Sequence, residues 1–276
     1  MPITVDLHNH TQYAHGKDSA EAVAASAFAK GVKIFGFSEH SLRPEGYVYP
    51  SDYQPKLLDN FPSYIAEVIA ERERYAGCMQ ILLALELDYM VAEESYAKTI
   101  VVAESYDYVI GGLHFQDTWG FDFSSAEWEN LSDDVCYDHF FRYYQDLTSM
   151  SQTGLFQIAA HPDLIKLFRK DTFKTWIKKP EAQKAAYVAL AAMKKNGMAM
   201  EISSAALRKG LGEPYPCREI MGLARDMGLP VSFGSDSHAA SDVAYAFDAL
   251  AAYASEFGYT HSAVFENRTM RLLPFA

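Results

Sequence analysis

Pro2-Ile3-Thr4-Val5-Asp6-Leu7-His8-Asn9-His10 decides how the rest of the chain is read. Apolar, β-prone residues run straight into two histidines two positions apart. Alternate residues of a strand share one side, with Cα atoms about 7 Å apart. Two imidazoles on one side at a strand's end can grip a single metal ion. Taken alone, the pair is equally two unrelated surface histidines. The readings separate on whether other strands also end in metal-ligand residues.

Working outward, short β-prone runs alternate with longer helical stretches. Strands are expected over 2–7, 33–37, 80–85, 108–110, 156–160, 198–202 and 230–233. Helices are expected over 18–30, 61–75, 95–104, 133–151, 180–195, 217–227 and 241–257. A loop rich in Pro, Gly and Tyr spans 41–55, and a long aromatic loop spans 115–128. The segment 262–273 carries no clear signal. No linker-like or low-complexity stretch divides the chain, so one domain over 1–276 is expected. Seven β-then-α units imply parallel strands with helices outside. The expected class is α/β, a distorted (β/α)7 barrel like the TIM barrel, with an open doubly wound sheet as the other arrangement. Active sites of such barrels lie at the C-terminal ends of the strands.

Those ends carry the chemistry. They supply His8, His10 and, in the following loop, His15; then His40, Glu86, His114, His161, Asp236 and His238. Neutral imidazole and carboxylate are ligands for zinc, manganese, iron and related ions. Six strand ends with such groups exceed the needs of one four-coordinate ion. A carboxylate such as Glu86 can bridge two metals, and two ions about 3.5–4 Å apart can share a hydroxide and clamp an in-line phosphoryl transfer. Each residue has a plainer reading: His40 as a helix-capping surface group, His114 as a loop histidine, His161 as a strand terminator. Glu86 is different, because an unpaired carboxylate closing an apolar strand is expensive. His139 and His261 lie away from strand ends and read as structural or surface residues.

Composition narrows the partners. Asp and Glu outnumber Lys and Arg 36 to 24, giving a net charge of −12. That field disfavours a broad nucleic-acid surface, and an anionic substrate needs locally placed cations or metal. No apolar run approaches the roughly 20 residues of a membrane span. No basic segment followed by an apolar one opens the chain, so no signal peptide is expected. Cys78, Cys136 and Cys217 are scattered and odd in number, which suits a reducing cytoplasm.

In order along the chain, the strand-end motifs resemble those of the polymerase and histidinol phosphatase (PHP) family. They are Asp6-Leu7-His8-Asn9-His10-Thr11, Phe37-Ser38-Glu39-His40, Leu85-Glu86-Leu87-Asp88-Tyr89, Gly111-Gly112-Leu113-His114, Ala160-His161-Pro162-Asp163 and Gly234-Ser235-Asp236-Ser237-His238. The resemblance implies a distorted seven-stranded barrel with two or three divalent ions. One would be held by His8, His10, Glu86 and Asp236, a second by Glu86, His114 and His161, and a third by His15, His40 and His238. Catalytic roles fall to Glu86, Asp236 and His238. Within the family the chain resembles the monofunctional histidinol-phosphate phosphatases, through its length and through Glu201-Ile202-Ser203, Ala206-Leu207-Arg208-Lys209 and Glu213-Pro214-Tyr215-Pro216. That implies Arg208 as a phosphate contact, with Arg169 and Arg43 as further substrate-binding candidates. It departs from the family in having Tyr13-Ala14 where a cysteine is frequent and Ser203 where the phosphatases commonly have asparagine.

The function implied is hydrolysis of a phosphate monoester by a metal-bridging hydroxide. The substrate implied is L-histidinol phosphate, yielding L-histidinol and phosphate in histidine biosynthesis. Alternatives are a PHP phosphoesterase acting on nucleotides or other phosphoesters, an amidohydrolase-type barrel, and a non-enzymatic metal-binding scaffold. The expected partner is a small phosphate ester, with no nucleic acid and no membrane. A homo-oligomer is a candidate assembly, since many barrels of this type self-associate.

Overall fold

The computed structural model describes residues 3–50 and 53–275. Pro2 in the first expected strand, and Ser51 and Asp52 in the expected 41–55 loop, lie outside the described residues. So do Met1 and Ala276 at the ends of the expected domain.

In chain order the elements are β1 (Val5–Asp6), α1 (Ala20–Ala29), β2 (Ile34–His40), α2 (Gln54–Arg74), β3 (Gln80–Asp88), α3 (Glu94–Val101), β4 (Tyr108–Gly112), β5 (Phe115–Gln116), β6 (Trp119–Gly120) and α4 (Asp133–Gln152). They continue with β7 (Ile158–Ala159), α5 (Lys170–Trp176), α6 (Pro180–Lys195), β8 (Ala199–Ser203), α7 (Ala205–Arg208), α8 (Arg218–Met227), β9 (Val231–Gly234), α9 (Phe247–Glu256), β10 (His261–Glu266) and β11 (Thr269–Pro274).

Seven strands pair in parallel in the order β1-β2-β3-β4-β7-β8-β9. The last returns to the first. The Leu7 N–H donates to Phe233 O (3.0 Å), the His10 N–H donates to Ser237 O (2.8 Å), and Asn9 bridges Ser237 in parallel. The expected (β/α)7 barrel is therefore the observed fold. Strand alternation divides the interior. Ile34, Leu82, Ala84, Tyr108 and Ile110 fill the barrel, while their neighbours Phe35, Leu83 and Val109 face the helical layer. Parallel strands buried on both faces read as near-continuous apolar runs, and β3 with its Ile81-Leu82-Leu83-Ala84-Leu85 is one.

Asp6 fastens the seam between β9 and β1. Its Oδ1 accepts from the Ser235 N–H (2.9 Å), and its Oδ2 accepts from the Ser235 hydroxyl (2.7 Å) and the Ala244 N–H (2.9 Å). That bond to Ala244 explains a difference from the sequence expectation. The stretch 241–257 is not one helix. A 3-10 turn over Ala240–Asp242 precedes α9, and between them Ala244 and Ala246 take φ of 51° and 52°. Alanine's helix propensity yields there to a part-buried tertiary hydrogen bond.

Two further differences have local causes. Helix α2 starts at Gln54 rather than at 61, because Pro55 sits in the first turn, where no N–H is needed. Pro62 lies inside it, and Leu57, Tyr64, Val68 and Glu71 form its buried face. The unassigned C-terminal segment is an antiparallel hairpin of β10 and β11. Its turn, Asn267-Arg268, has φ of 48° and 59°, the twist that suits a two-residue hairpin. The hairpin sends Ala263, Val264 and Phe265 into the barrel's inner cluster. The Arg268 N–H bonds Asp107 O (2.7 Å), just before β4, so the hairpin closes the end opposite the strand-end histidines.

Candidate metal centre

The alternation that places Leu82 and Ala84 inside the barrel carries Glu86 and Asp88 to its rim on the same face. The β2–β3 register sets His40 beside Glu86. Across the seam, Asp236 and His238 follow β9 as His8 and His10 follow β1.

Glu86 is the hub, and its two oxygens face different imidazoles. Oε2 lies 3.1 Å from His8 Nε2, 3.2 Å from His10 Nε2 and 3.2 Å from His40 Nδ1. Oε1 lies 3.1 Å from His161 Nε2 and 3.6 Å from His114 Nε2. Asp236 Oδ1 adds contacts of 3.5 Å to both His10 Nε2 and His238 Nδ1. His15 joins through its ring, 4.2 Å from that of His238 and 4.9 Å from that of His40. All nine expected ligand residues thus converge on one cluster.

Three sets within it bring ligand atoms to within 4.8 Å of one another: His8/His10/Asp236, His8/Glu86/His161 and His10/His40/His238. The last differs from the expected third set in having His10 in place of His15. Divalent cations fit these residues, and the observation that says so is the state of the imidazole nitrogens. His8 Nε2, His10 Nε2, His40 Nδ1, His161 Nδ1 and His238 Nε2 are buried without a hydrogen-bond partner. Orphaned buried nitrogens are costly; three of these, His8 Nε2, His10 Nε2 and His40 Nδ1, converge on Glu86 Oε2, and lone pairs gathered on a carboxylate are what a metal ion satisfies.

A surrounding layer fixes which nitrogen points inward. His8 Nδ1–H donates to Glu201 (2.7 Å), His10 Nδ1–H to Glu39 (3.2 Å) and His114 Nδ1–H to Asp88 (2.8 Å). Each such bond puts the proton on Nδ1 and leaves the Nε2 lone pair for a metal. Glu39 also accepts from the Thr11 N–H (2.9 Å), and Glu201 from the His161 N–H (2.7 Å). Glu39, Asp88 and Glu201 are functional residues that sequence reading missed as such. Asp88 was the most accessible of them, since it repeats the inward parity of Glu86.

The charges are strongly coupled. Burial alone would raise the Glu86 carboxyl, but His8 and His40 outweigh it and hold it well below the usual range. His10 and His8 do the same for Asp236. Burial would lower His114, but the Asp88 carboxylate outweighs it and lifts it to about 9. Burial and then the charges of His40 and His10 push His15 down to about 3. His161 and Asp236 hold φ of 23° and 50°, conformations that persist only where the surroundings over-determine them.

The cluster floors a cavity of about 440 Å³ whose wall includes Arg208 and Lys209. Arg208 donates to the carbonyls of Ser235 (3.0 Å) and Asp236 (2.6 Å), and Lys209 Nζ lies 4.0 Å from Asp236. The other two expected arginines are placed differently. Arg169 is held by Trp128 O, Leu131 O and Asp133 and is not among the lining residues. Arg43 is buried behind the wall, 3.5 Å from Asp88 and over the ring of Tyr49. His139 bonds Gln116 and packs on Trp119, away from the cluster. His261 is exposed.

A parallel α/β barrel whose rim carries a carboxylate-bridged histidine cluster beside two cations defines a metal-binding barrel of the phosphoesterase type. The chain belongs to the PHP domain family, whose model matches residues 6–205. A protein of Deinococcus radiodurans named “Probable histidinol-phosphatase” is 30% identical over 245 residues, 88% of this chain and 89% of that protein. The histidinol-phosphatase of Bacillus subtilis is 25% identical over 264 residues, 89% of this chain and 97% of its own. Among solved structures, the histidinol phosphate phosphatase of Lactococcus lactis shares the fold with a TM-score of 0.81 at 17% identity. The match covers 97% of this chain and 98% of that one, and that structure was solved with zinc, L-histidinol and phosphate.

Proposed function

We propose that this chain hydrolyses L-histidinol phosphate to L-histidinol and phosphate, in histidine biosynthesis and in the cytoplasm. One observation carries the reading: the ligand cluster and the cations Arg208 and Lys209 line the same cavity. Two or three divalent ions would be held by the sets expected from sequence, with Glu86 shared between the first two. When bound, such ions supply Lewis acidity and a nucleophile of lowered pKa. Glu86 Oε1 and Oε2 separate two ligand groups across one carboxylate. Glu39, Asp88 and Glu201 hold the imidazoles with their lone pairs inward. Asp236 joins His8 and His10 from the far side of the seam, and His238 completes that side. Arg208, its guanidinium held by the Ser235 and Asp236 carbonyls, offers its fixed charge and remaining N–H groups to a phosphoryl oxygen, and Lys209 adds a point charge. Together they draw an anion into a chain of net charge −12.

The relatives' names support the substrate, one of them at 30% identity over most of both chains. Three cysteines without disulfides fit the cytoplasm, and among the described residues no helix is long and apolar enough to cross a membrane. The test is phosphate release from L-histidinol phosphate, with metal content counted on the same sample. Turnover with two or three metals per chain is the expected result. Metal without turnover, or activity confined to nucleotides, would overturn the substrate. No metal after reconstitution would overturn the centre itself.

A further inference from the structure

One carboxylate on the cavity wall is not used by the cluster. Glu86, Asp88 and Asp236 are each engaged by imidazoles. Asp122, which also lines the cavity, accepts one hydrogen bond, from the Tyr49 hydroxyl (2.7 Å), and among the described residues no lysine or arginine pairs with it. It stands on the His114 side, and its charge contributes to the high pKa there.

Its position is held firmly. The preceding residue, Phe121, is buried, its N–H donating to His114 O (3.1 Å) and its carbonyl accepting from Trp128 Nε1 (2.7 Å). Tyr49 is fixed as well. A Cβ on Gly120 would lie 2.3 Å from its ring, so glycine is what lets that ring approach. Phe123 stacks on that ring, with centroids 5.5 Å apart at 22°. The cavity therefore has two chemistries. Near Asp236 it offers Arg208 and Lys209 to an anion. Near His114 it offers an unspent carboxylate flanked by the aromatic rings of Tyr49 and Phe123. Arg43, which lies over the Tyr49 ring, is already matched by Asp88.

We propose that Asp122 is a specificity-determining residue that recognises a cationic group on the organic half of the substrate, with Phe123 and Tyr49 as the flat surface beside it. This rests on the phosphatase reading above and adds to it that the ester must carry an ammonium or imidazolium group. A carboxylate paired with a cation in a partly desolvated cavity contributes about 10- to 100-fold in affinity, and an aromatic face adds cation–π attraction. A neutral organic half gains nothing from Asp122.

The experiment uses the metal-loaded full chain and two readouts. Calorimetry measures L-histidinol binding in the presence of inorganic phosphate, for wild type, Asp122→Asn and Asp122→Glu. Kinetics compares kcat/KM for L-histidinol phosphate with that for 2-phenylethyl phosphate, a neutral analogue. Asp122→Asn is expected to weaken L-histidinol about 10- to 100-fold and to reduce the substrate preference by the same factor, through KM, with Asp122→Glu recovering part of both. Unchanged L-histidinol affinity, no L-histidinol binding by wild type, or a parallel loss on both substrates would overturn the assignment. Wild type that binds L-histidinol through Asp122 yet releases no phosphate from its ester would fail the phosphatase reading and keep this one.

Discussion

Glu201→Gln tests the layer behind the metal ligands. Glu201 is 1% exposed and serves two ligand residues at once. One oxygen accepts from His8 Nδ1–H and the other from the backbone N–H of His161, both at 2.7 Å. Glutamine keeps the shape but replaces one acceptor with an amide donor. If the amide faces His161, two donors meet in a buried site, which costs about 1–3 kcal/mol. If it faces His8, the imidazole must move its proton to Nε2, the atom 3.1 Å from Glu86. A protonated Nε2 has no lone pair for a metal. Either route removes ligand quality without removing a ligand. Loss of such an outer partner typically costs 10- to 100-fold in metal affinity, or about 1.4 to 2.8 kcal/mol. Titration of the apo-protein with zinc against a competing chelating indicator reads this directly, with circular dichroism confirming that the variant folds. A zinc Kd within about twofold of wild type, where at least tenfold is expected, would refute the argument that Glu201 sets the His8 tautomer.

Three other outcomes are expected. Glu86→Ala removes the carboxylate shared by both ligand groups, so bound metal falls, with nearly all phosphatase activity; a normal metal count by atomic emission would rule the role out. Arg208→Ala raises the phosphate inhibition constant about 10- to 100-fold with metal content unchanged. Metal loss would instead make Arg208 a positioning residue for Asp236, whose carbonyl it holds. Asp6→Asn sets an amide against donors from Ser235 and Ala244 and costs about 1–3 kcal/mol, seen as a Tm lowered by roughly 2–10 °C in thermal melts; an unchanged Tm would remove Asp6 from the seam.

The barrel was legible because its signals are local. Each strand is an apolar run, each helix carries its own periodicity, and the ligands sit where those runs stop. What escaped is set by contacts distant in sequence. Glu201 reads as the middle of strand Ala199–Ser203, and only the fold brings it to His8, 193 residues away. Glu39 points opposite to His40 on its own strand, and only the fold brings it to His10, 29 residues away. The break before α9 depends on Asp6, and the terminal hairpin turns on Asn267-Arg268, which lacks the glycine that usually marks such a turn. Asp88 was readable from parity alone.

The seam between β9 and β1 has a consequence for how the site comes into being. Asn9 and Ser237 meet there across 228 residues of chain, and ligands stand on both sides of the join. A nascent chain lacking its last β-α unit presents His8 and His10 without Asp236 or His238. The sets that span the seam, His8/His10/Asp236 and His10/His40/His238, are therefore complete only once β9 and the residues after it have joined the barrel, whereas His8/Glu86/His161 is not bound to that step. Once seated across the seam, an ion ties the first strand of the barrel to its last, in the manner of a cross-link that closes a very long loop. By mass action it adds stability that rises with free metal concentration. Chelation would then loosen the join between β1 and β9 before it disturbs the five strands between them.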